Sequence, residues 1–323
     1  MVRHYRVNIF GKPLKFYGIL LVTLSVLTIL YFMWKRPNKT TISRQHKENY
    51  MFNEFARTEY DSRSLAFEGE KIVHLDLKGA PPKISYYVKL FPLLATLGAT
   101  GVLIEYEDMF PYTGALLNNT SALNAYSLED IRTINKLAKQ NNLIVIPLIQ
   151  TFGHMEFILK LSEYKDFREV PTYPQVICPT HENTLKLITS MIEQIIAAHP
   201  ESKLIHIGAD EVYYLGMCDR CTDTMLKYNL SKNLLFLEHI NNIIDVINRI
   251  YPHIRILMWD DQFRSINEEE LKKGHVNINV EPIIWKYTKD VYEELGPTLW
   301  DGYSQVFSKV WAASAFKGAT GKQ

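Results

Sequence analysis

After Lys71 the chain alternates short apolar runs with amphipathic stretches, the rhythm of strands joined by crossover helices around a parallel sheet. The runs are IVHLDL at 72–77, GVLIEY at 101–106, LIVIPLIQ at 143–150, LIHIGADE at 204–211, RILMWDD at 255–261, VNINVEPIIW at 276–285 and a last one within 309–315. Between the first two, Tyr86, Tyr87, Leu90, Phe91, Leu94 and Leu97 recur every three to four residues, which predicts a helix. Ser127-Leu128-Glu129-Asp130 is a capping signal that opens a second helix running to Gln140. Seven such strands predict a (β/α)8 barrel. A doubly wound sheet fits less well, because no glycine-rich phosphate loop follows the first strand. The sequence reaches Gln323 soon after the seventh run, so the expectation is a barrel lacking its last βα unit, with two strand edges unpaired.

The other strong pattern precedes the barrel. Residues 16–34 read FYGILLVTLSVLTILYFMW, free of charge and about long enough to cross a bilayer as a helix. Aromatic residues sit at both ends of the run, where amphipathic rings favour the interface. No small-residue cleavage pattern follows, which favours an uncleaved signal anchor. The organisation expected is a basic tail over 1–15, a membrane anchor over 16–34, a polar stem over 35–70 and the barrel over 71–323. Basic residues flank the span on both sides, so charge alone does not orient it. N-x-S/T sequons at Asn38, Asn118, Asn119 and Asn229 favour a type II protein with its catalytic domain in the secretory lumen. A formal charge of +1 gives no field that would recruit nucleic acid. A homodimer is compatible with the sequence, which carries no direct sign of one.

Active sites of such barrels gather at the carboxyl ends of the strands. Polar and aromatic residues cluster there: Asp76 and Lys78, Glu107 and Asp108, His154, Asp210 and Glu211, Trp259 to Asp261, and Trp285. Asp210 and Glu211 are adjacent, and neighbouring carboxylates can serve one site only where a strand gives out into a loop. Glycosidic cleavage needs a proton donor at the leaving oxygen and an anion near the positive charge growing on the anomeric carbon. Glu211 suits the first role and Asp210 the second. Three cysteines, Cys178, Cys218 and Cys221, fit neither a disulfide framework nor a four-ligand zinc site by count, and the C-x-x-C they include reads as structural or incidental.

The motif H-x-G-x-D-E at His206 to Glu211 resembles the signature of glycoside hydrolase family 20. HIGADEVYYLG at 206–216, HLDLKGAPPK at 74–83, LIEYEDMFPY at 103–112, PLIQTFGHMEF at 147–157 and WAASAFKGATG at 311–321 are similar to its hexosaminidase D group in particular. The resemblance implies a retaining, substrate-assisted exo-β-N-acetylhexosaminidase acting on glycans with terminal N-acetylgalactosamine or N-acetylglucosamine, with no metal or other cofactor at the site. It implies that Glu211 is the acid and base and that Asp210 orients the 2-acetamido group. It also implies a histidine near the acid at His154, aromatic walls at Trp259, Trp285 and Trp311, an acetamido partner at Tyr287, and hydroxyl ligands at Asp76 and Lys78. Most of the family has an arginine near Lys78, whose single ammonium cannot form the same two-pronged grip. Glu107 and Asp108 are read either as assisting groups or as solvated loop charges.

Two rival readings remain open at this stage. One is a glycosidase with a direct carboxylate nucleophile, Glu211 acting with Asp260 or Glu281. The other is a membrane-anchored, catalytically silent glycan-binding or interaction protein.

Overall fold

The computed structural model describes residues 67–117, 119–274, 279–288 and 290–314. Residues 1–66 hold the expected tail, apolar run and most of the stem, and so lie outside the described residues. From Gly69 the chain forms one unit. Its strands are β1 (Ile72–Asp76), β2 (Gly101–Glu105), β3 (Ile144–Leu148), β4 (Arg168–Val170), β5 (Tyr173–Ile177), β6 (Leu204–His206), β7 (Arg255–Trp259), β8 (Glu281–Trp285) and β9 (Trp311–Ala313). The helices are α1 (Ile84–Thr96), α2 (Leu128–Gln140), α3 (Glu156–Leu159), α4 (Thr184–Ala198), α5 (Asp219–Tyr228), α6 (Lys232–Ile250), α7 (Glu268–Lys273), α8 (Val291–Glu294) and α9 (Pro297–Val306).

Seven strands form one parallel sheet in the order β1-β2-β3-β6-β7-β8-β9, each neighbouring the next in sequence apart from the inserted β4–β5 pair. Alternation along each strand sorts side chains onto two faces. Val102, Ile104, Ile205, Ile256 and Met258 face the helices, while Leu103, Leu204, Leu257 and Trp259 form a second, inner cluster. Ile72 of β1 and Trp311 of β9 touch that same inner cluster, so the sheet curls towards a barrel of (β/α)8 type. Among the described residues β1 and β9 are its edges, and an eighth strand does not occur.

The helices form where the sequence places them. In α1, Tyr87 and Phe91 are one turn apart and fully buried, each contributing about 1.5–3 kcal/mol of apolar burial. The Ser127 hydroxyl accepts the Asp130 N–H at 3.1 Å and the Asp130 carboxylate accepts the Ser127 N–H at 2.8 Å, closing the capping box at the start of α2.

Two boundaries move for a physical reason. The run at 204–211 pairs only as far as His206, because Gly208, Ala209 and Glu211 have φ of 65°, 64° and 49°, which no ladder accommodates. The run at 255–261 ends at Trp259, since Asp261 opens a 3-10 turn. Sequence reasoning did not foresee the antiparallel β4–β5 pair between β3 and β6. Among the described residues no helix is long and apolar enough to cross a membrane.

Candidate active site

The loop after β6 carries the two central carboxylates, and its shape is fixed by close contacts. Gly208, in the left-handed region, lies against Gln150, whose Oε1 would be 2.0 Å from any added Cβ. Gly153, after β3, lies against the backbone of the loop itself: a Cβ there would stand 1.9 Å from the Asp210 carbonyl oxygen. Only glycine admits this approach, and it brings the loop after β3 onto Asp210 and Glu211. Next to it His154, with φ of 52°, turns its Nε2 to 3.0 Å from Glu211 and 3.4 Å from Asp210. The structure thus brings His154 beside both carboxylates.

The loop is tied to its neighbours by Gln150, Glu105 and Thr151, which the sequence reading did not single out, and by Asp261, which it placed at a strand end. The Gln150 Oε1 accepts the Ala209 N–H at 3.2 Å while its amide N–H donates to Glu105 at 2.9 Å. Glu105 also meets His74 at 3.0 Å, and this pairing holds its carboxyl below the usual carboxylate range despite its burial. Asp261 accepts the Glu211 N–H at 2.9 Å, anchoring the loop from the β7 side. The Thr151 hydroxyl donates to the Ile207 carbonyl at 2.7 Å. Gln150, Glu105 and Thr151 too stand at strand carboxyl ends, the one sequence signal that could have found them.

Asp210 and Glu211 differ in their surroundings. Asp210 is the more deeply buried, and one of its oxygens, Oδ1, is buried without a hydrogen-bond partner. Burial pushes its carboxyl up to about 7, against the pull of His154 and with a push from Asp261 and Glu105. His154 is in turn raised, the charges of Asp210, Glu156 and Glu211 outweighing the cost of its burial. Glu211 is about one-third exposed and open to a ligand. One carboxylate has a buried oxygen without a donor, and the other is partly exposed.

Asp76 and Lys78 lie at the end of β1, where Asp76 Oδ1 accepts the Lys78 N–H at 3.1 Å. The Lys78 ammonium is 2.8 Å from Glu107, a buried carboxyl that desolvation raises to about 7. Asp108 is buried too and meets Lys160 at 2.9 Å, so neither acid is a solvated loop charge. Trp259 ends β7 and packs against His206 with ring centroids 4.5 Å apart. Trp285 ends β8 with a buried, unpartnered indole N–H, and its ring is 5.2 Å from the exposed Tyr287.

Trp311 requires correction. It is the first residue of β9, and its indole N–H donates at 2.8 Å to Glu281, the first residue of β8. That carboxylate also holds Arg255, the first residue of β7, at 2.6 Å, so the Trp311 indole N–H is turned to an ion pair at the amino ends of β7 and β8, although its backbone stands in register with Ile283 and Trp259. The two acids of the direct-nucleophile alternative are both engaged by cations. Glu281 lies at the amino end of β8, and Asp260, 0% exposed, is occupied by the Arg264 guanidinium at 2.7 and 2.5 Å.

A family model for the glycosyl hydrolase family 20 catalytic domain matches residues 83–312. The chain belongs to glycosyl hydrolase family 20. Within that family it is similar to hexosaminidase D of Bos taurus, 46% identical over 252 residues, covering 78% of this chain and 72% of that protein. To hexosaminidase D of Homo sapiens it is 44% identical, again over 78% of this chain but 52% of the relative. By family it is therefore a β-N-acetylhexosaminidase of the hexosaminidase D kind, although the chain spans only about half of the human relative. Among solved structures it resembles a chitobiase from Flavobacterium johnsoniae, with a TM-score of 0.60, 17% identity and coverage of 76% of this chain and 38% of that one. It also resembles an exo-β-N-acetylglucosaminidase from Vibrio harveyi in complex with N-acetylglucosamine, with a TM-score of 0.57, 20% identity and coverage of 75% and 40%. These last two likenesses bear on the fold alone.

Proposed function

We propose that the chain removes terminal β-linked N-acetylgalactosamine or N-acetylglucosamine from glycans with retention of configuration, the substrate's own acetamido group acting as nucleophile. The supporting observation is the unpartnered Oδ1 of Asp210, buried beside Glu211 and His154. A buried acceptor without a donor costs free energy until a ligand supplies one. The acetamido N–H is such a donor, and it would draw Asp210 towards its ionised form. The acetamido carbonyl oxygen then attacks the anomeric carbon while Glu211 gives its proton to the departing oxygen. Water, deprotonated by Glu211, opens the resulting oxazolinium ring from the same face that the leaving group left. His154 holds both carboxylates in register, and Trp259, Trp285 and Tyr287 supply apolar surface and a hydroxyl for the acetamido methyl and carbonyl. Asp76 and Lys78 are assigned to the sugar's far hydroxyls.

The test is release of 4-nitrophenol from the N-acetyl-β-galactosaminide, the N-acetyl-β-glucosaminide and the simple β-galactoside by the full-length chain and its Glu211→Gln variant. Turnover confined to the acetamido substrates and abolished in the variant supports the reading. Equal turnover of the simple galactoside would refute acetamido participation, and a folded chain with no turnover would leave a silent glycan-binding protein. We further propose anchoring through 16–34 with the catalytic unit in the secretory lumen. Of the sequon residues, Asn119 and Asn229 are exposed, which supports glycan attachment. Loss of mass on enzymatic deglycosylation, together with retention in carbonate-washed membranes, would bear this out; an unglycosylated chain released by carbonate would overturn it.

A further inference from the structure

Behind the catalytic loop, the fold gathers three thiols and one carboxylate that play no part in the chemistry above. Cys178 follows β5, Glu169 is the middle residue of β4, and Cys218 and Cys221 open α5. Their four ligand atoms all lie within 4.8 Å of one another. The Cys178 sulfur is 3.4 Å from that of Cys218 and 3.7 Å from that of Cys221, while Glu169 Oε2 is 3.3 Å from Cys218 and 3.1 Å from Cys221. A tetrahedral zinc ion with bonds of about 2.3 Å to sulfur and about 2.0 Å to oxygen sets its ligands roughly 3.5–3.8 Å apart. The observed separations fall close to that figure and well beyond a disulfide bond. All three cysteines are free.

The carboxylate is the more telling group. Glu169 is 1% exposed, and among the described residues it has no cationic side chain in an ion pair. Its other oxygen accepts the N–H groups of Met217 and Cys218 at 2.6 and 3.1 Å, which fixes its rotamer and aims Oε2 at the sulfurs. A buried anion pointed at three thiols, each able to become an anion, lacks only a compensating positive charge. Arg220 reaches Cys178 while bound to Asp166, and so would offset part of the surplus negative charge of a filled site. Helix start and strand hairpin contribute ligands from two separate segments, the closed arrangement of structural zinc rather than an open catalytic one.

We infer that Glu169, Cys178, Cys218 and Cys221 form a Cys3Glu site for a structural zinc ion that pins the β4–β5 hairpin to the segment leading out of the catalytic loop. Zinc replaces the thiol protons, which pass to solvent, and no electron is exchanged. The clamp lies seven residues beyond Glu211. A second contact, Tyr173 of the hairpin stacked on Tyr214 of the loop at 5.5 Å, ties the same two segments.

Elemental analysis of the purified full-length chain tests the inference, with about one zinc per chain expected after passage through a weak chelator. Replacement of that zinc by Co2+ should give sulfur-to-cobalt charge-transfer bands and strong tetrahedral d–d bands, both lost in Cys178→Ser/Cys221→Ser. Where that variant fails to fold, the cobalt spectrum of the unaltered chain decides alone. Titration of thiols with a mercurial should release the zinc in step with sulfur modification. A metal-free chain that takes up no cobalt would overturn the site, as would a chain in which two of these cysteines prove to be joined in a disulfide.

Discussion

Two aspartates at neighbouring strand ends share burial and little else. Asp260, after β7, has both oxygens taken, by the Arg264 guanidinium, by the Tyr303 hydroxyl at 3.2 Å and by the Trp285 N–H at 3.3 Å. Asp210, after β6, has one oxygen without a donor and His154 as its counter-charge. The general rule that buried carboxylates are fully satisfied is met at the first and broken at the second. Orphaned carboxylate oxygens also occur on Asp108 and Asp261 at neighbouring strand ends, so the contrast sets the fully engaged Asp260 against a group of under-supplied acids around Asp210.

The sharpest attack on this contrast is on Glu211. Glu211→Gln should lower kcat for the 4-nitrophenyl acetamido sugars about 10²–10⁴-fold, with a melting temperature close to that of the unaltered chain. Asp260→Asn should do the reverse, destabilising by about 3–5 kcal/mol because it leaves Arg264 uncompensated. Thermal and urea unfolding would show it, and a variant of normal stability without turnover would break the comparison. Gly153→Ala drives a methyl group into the Asp210 carbonyl. It should cost about 1–3 kcal/mol of stability and a larger share of turnover than of stability, read from kinetics below the melting transition.

The smallest effect concerns pH. Asp210 keeps its proton to about 7 when folded but only to 3.8 when unfolded. The folded chain therefore binds more protons between those values, and stability falls as pH rises through that window before levelling off. The raised His154 acts in the same direction, since its protonated form is favoured only in the folded state. Asp210→Asn should thus raise the melting temperature at pH 8, each kcal/mol being worth about 2–4 °C, and the gain should shrink as pH falls towards 4. In the unaltered chain kcat/KM should fall as pH drops below about 7, where Asp210 takes up its proton.

Much of this was legible beforehand. The period of the apolar runs placed the seven strands of the large sheet, because the central ones are buried on both faces and carry their composition openly, while the edge strands β1 and β9 keep apolar residues on a partly buried face. That Asp210, Glu211 and His154 come together was readable from one motif and one turn. Strand ends were not, since the positive φ of Ala209 and Glu211 belongs to residues with no local preference for it. Trp311 went astray because a tryptophan's composition does not say which end of a strand it serves. Gln150 and Glu105 look like ordinary polar residues until the fold joins them. The thiol cluster escaped because the count considered sulfur alone, and its fourth member is a carboxylate in a hairpin the rhythm did not announce.

The pairing of β3 with β6 rests on one residue pair, Leu148 with His206, where β1–β2 and β2–β3 each have five. Past that pair, the seam is carried by the Ile149 N–H to the His206 carbonyl and by the side chains of Gln150 and Thr151. Backbone amides along this seam should therefore exchange with deuterium sooner than those of β2, through local openings that leave the rest of the sheet intact. The loops to which the chemistry is assigned thus lie along the seam with the fewest paired residues in the sheet.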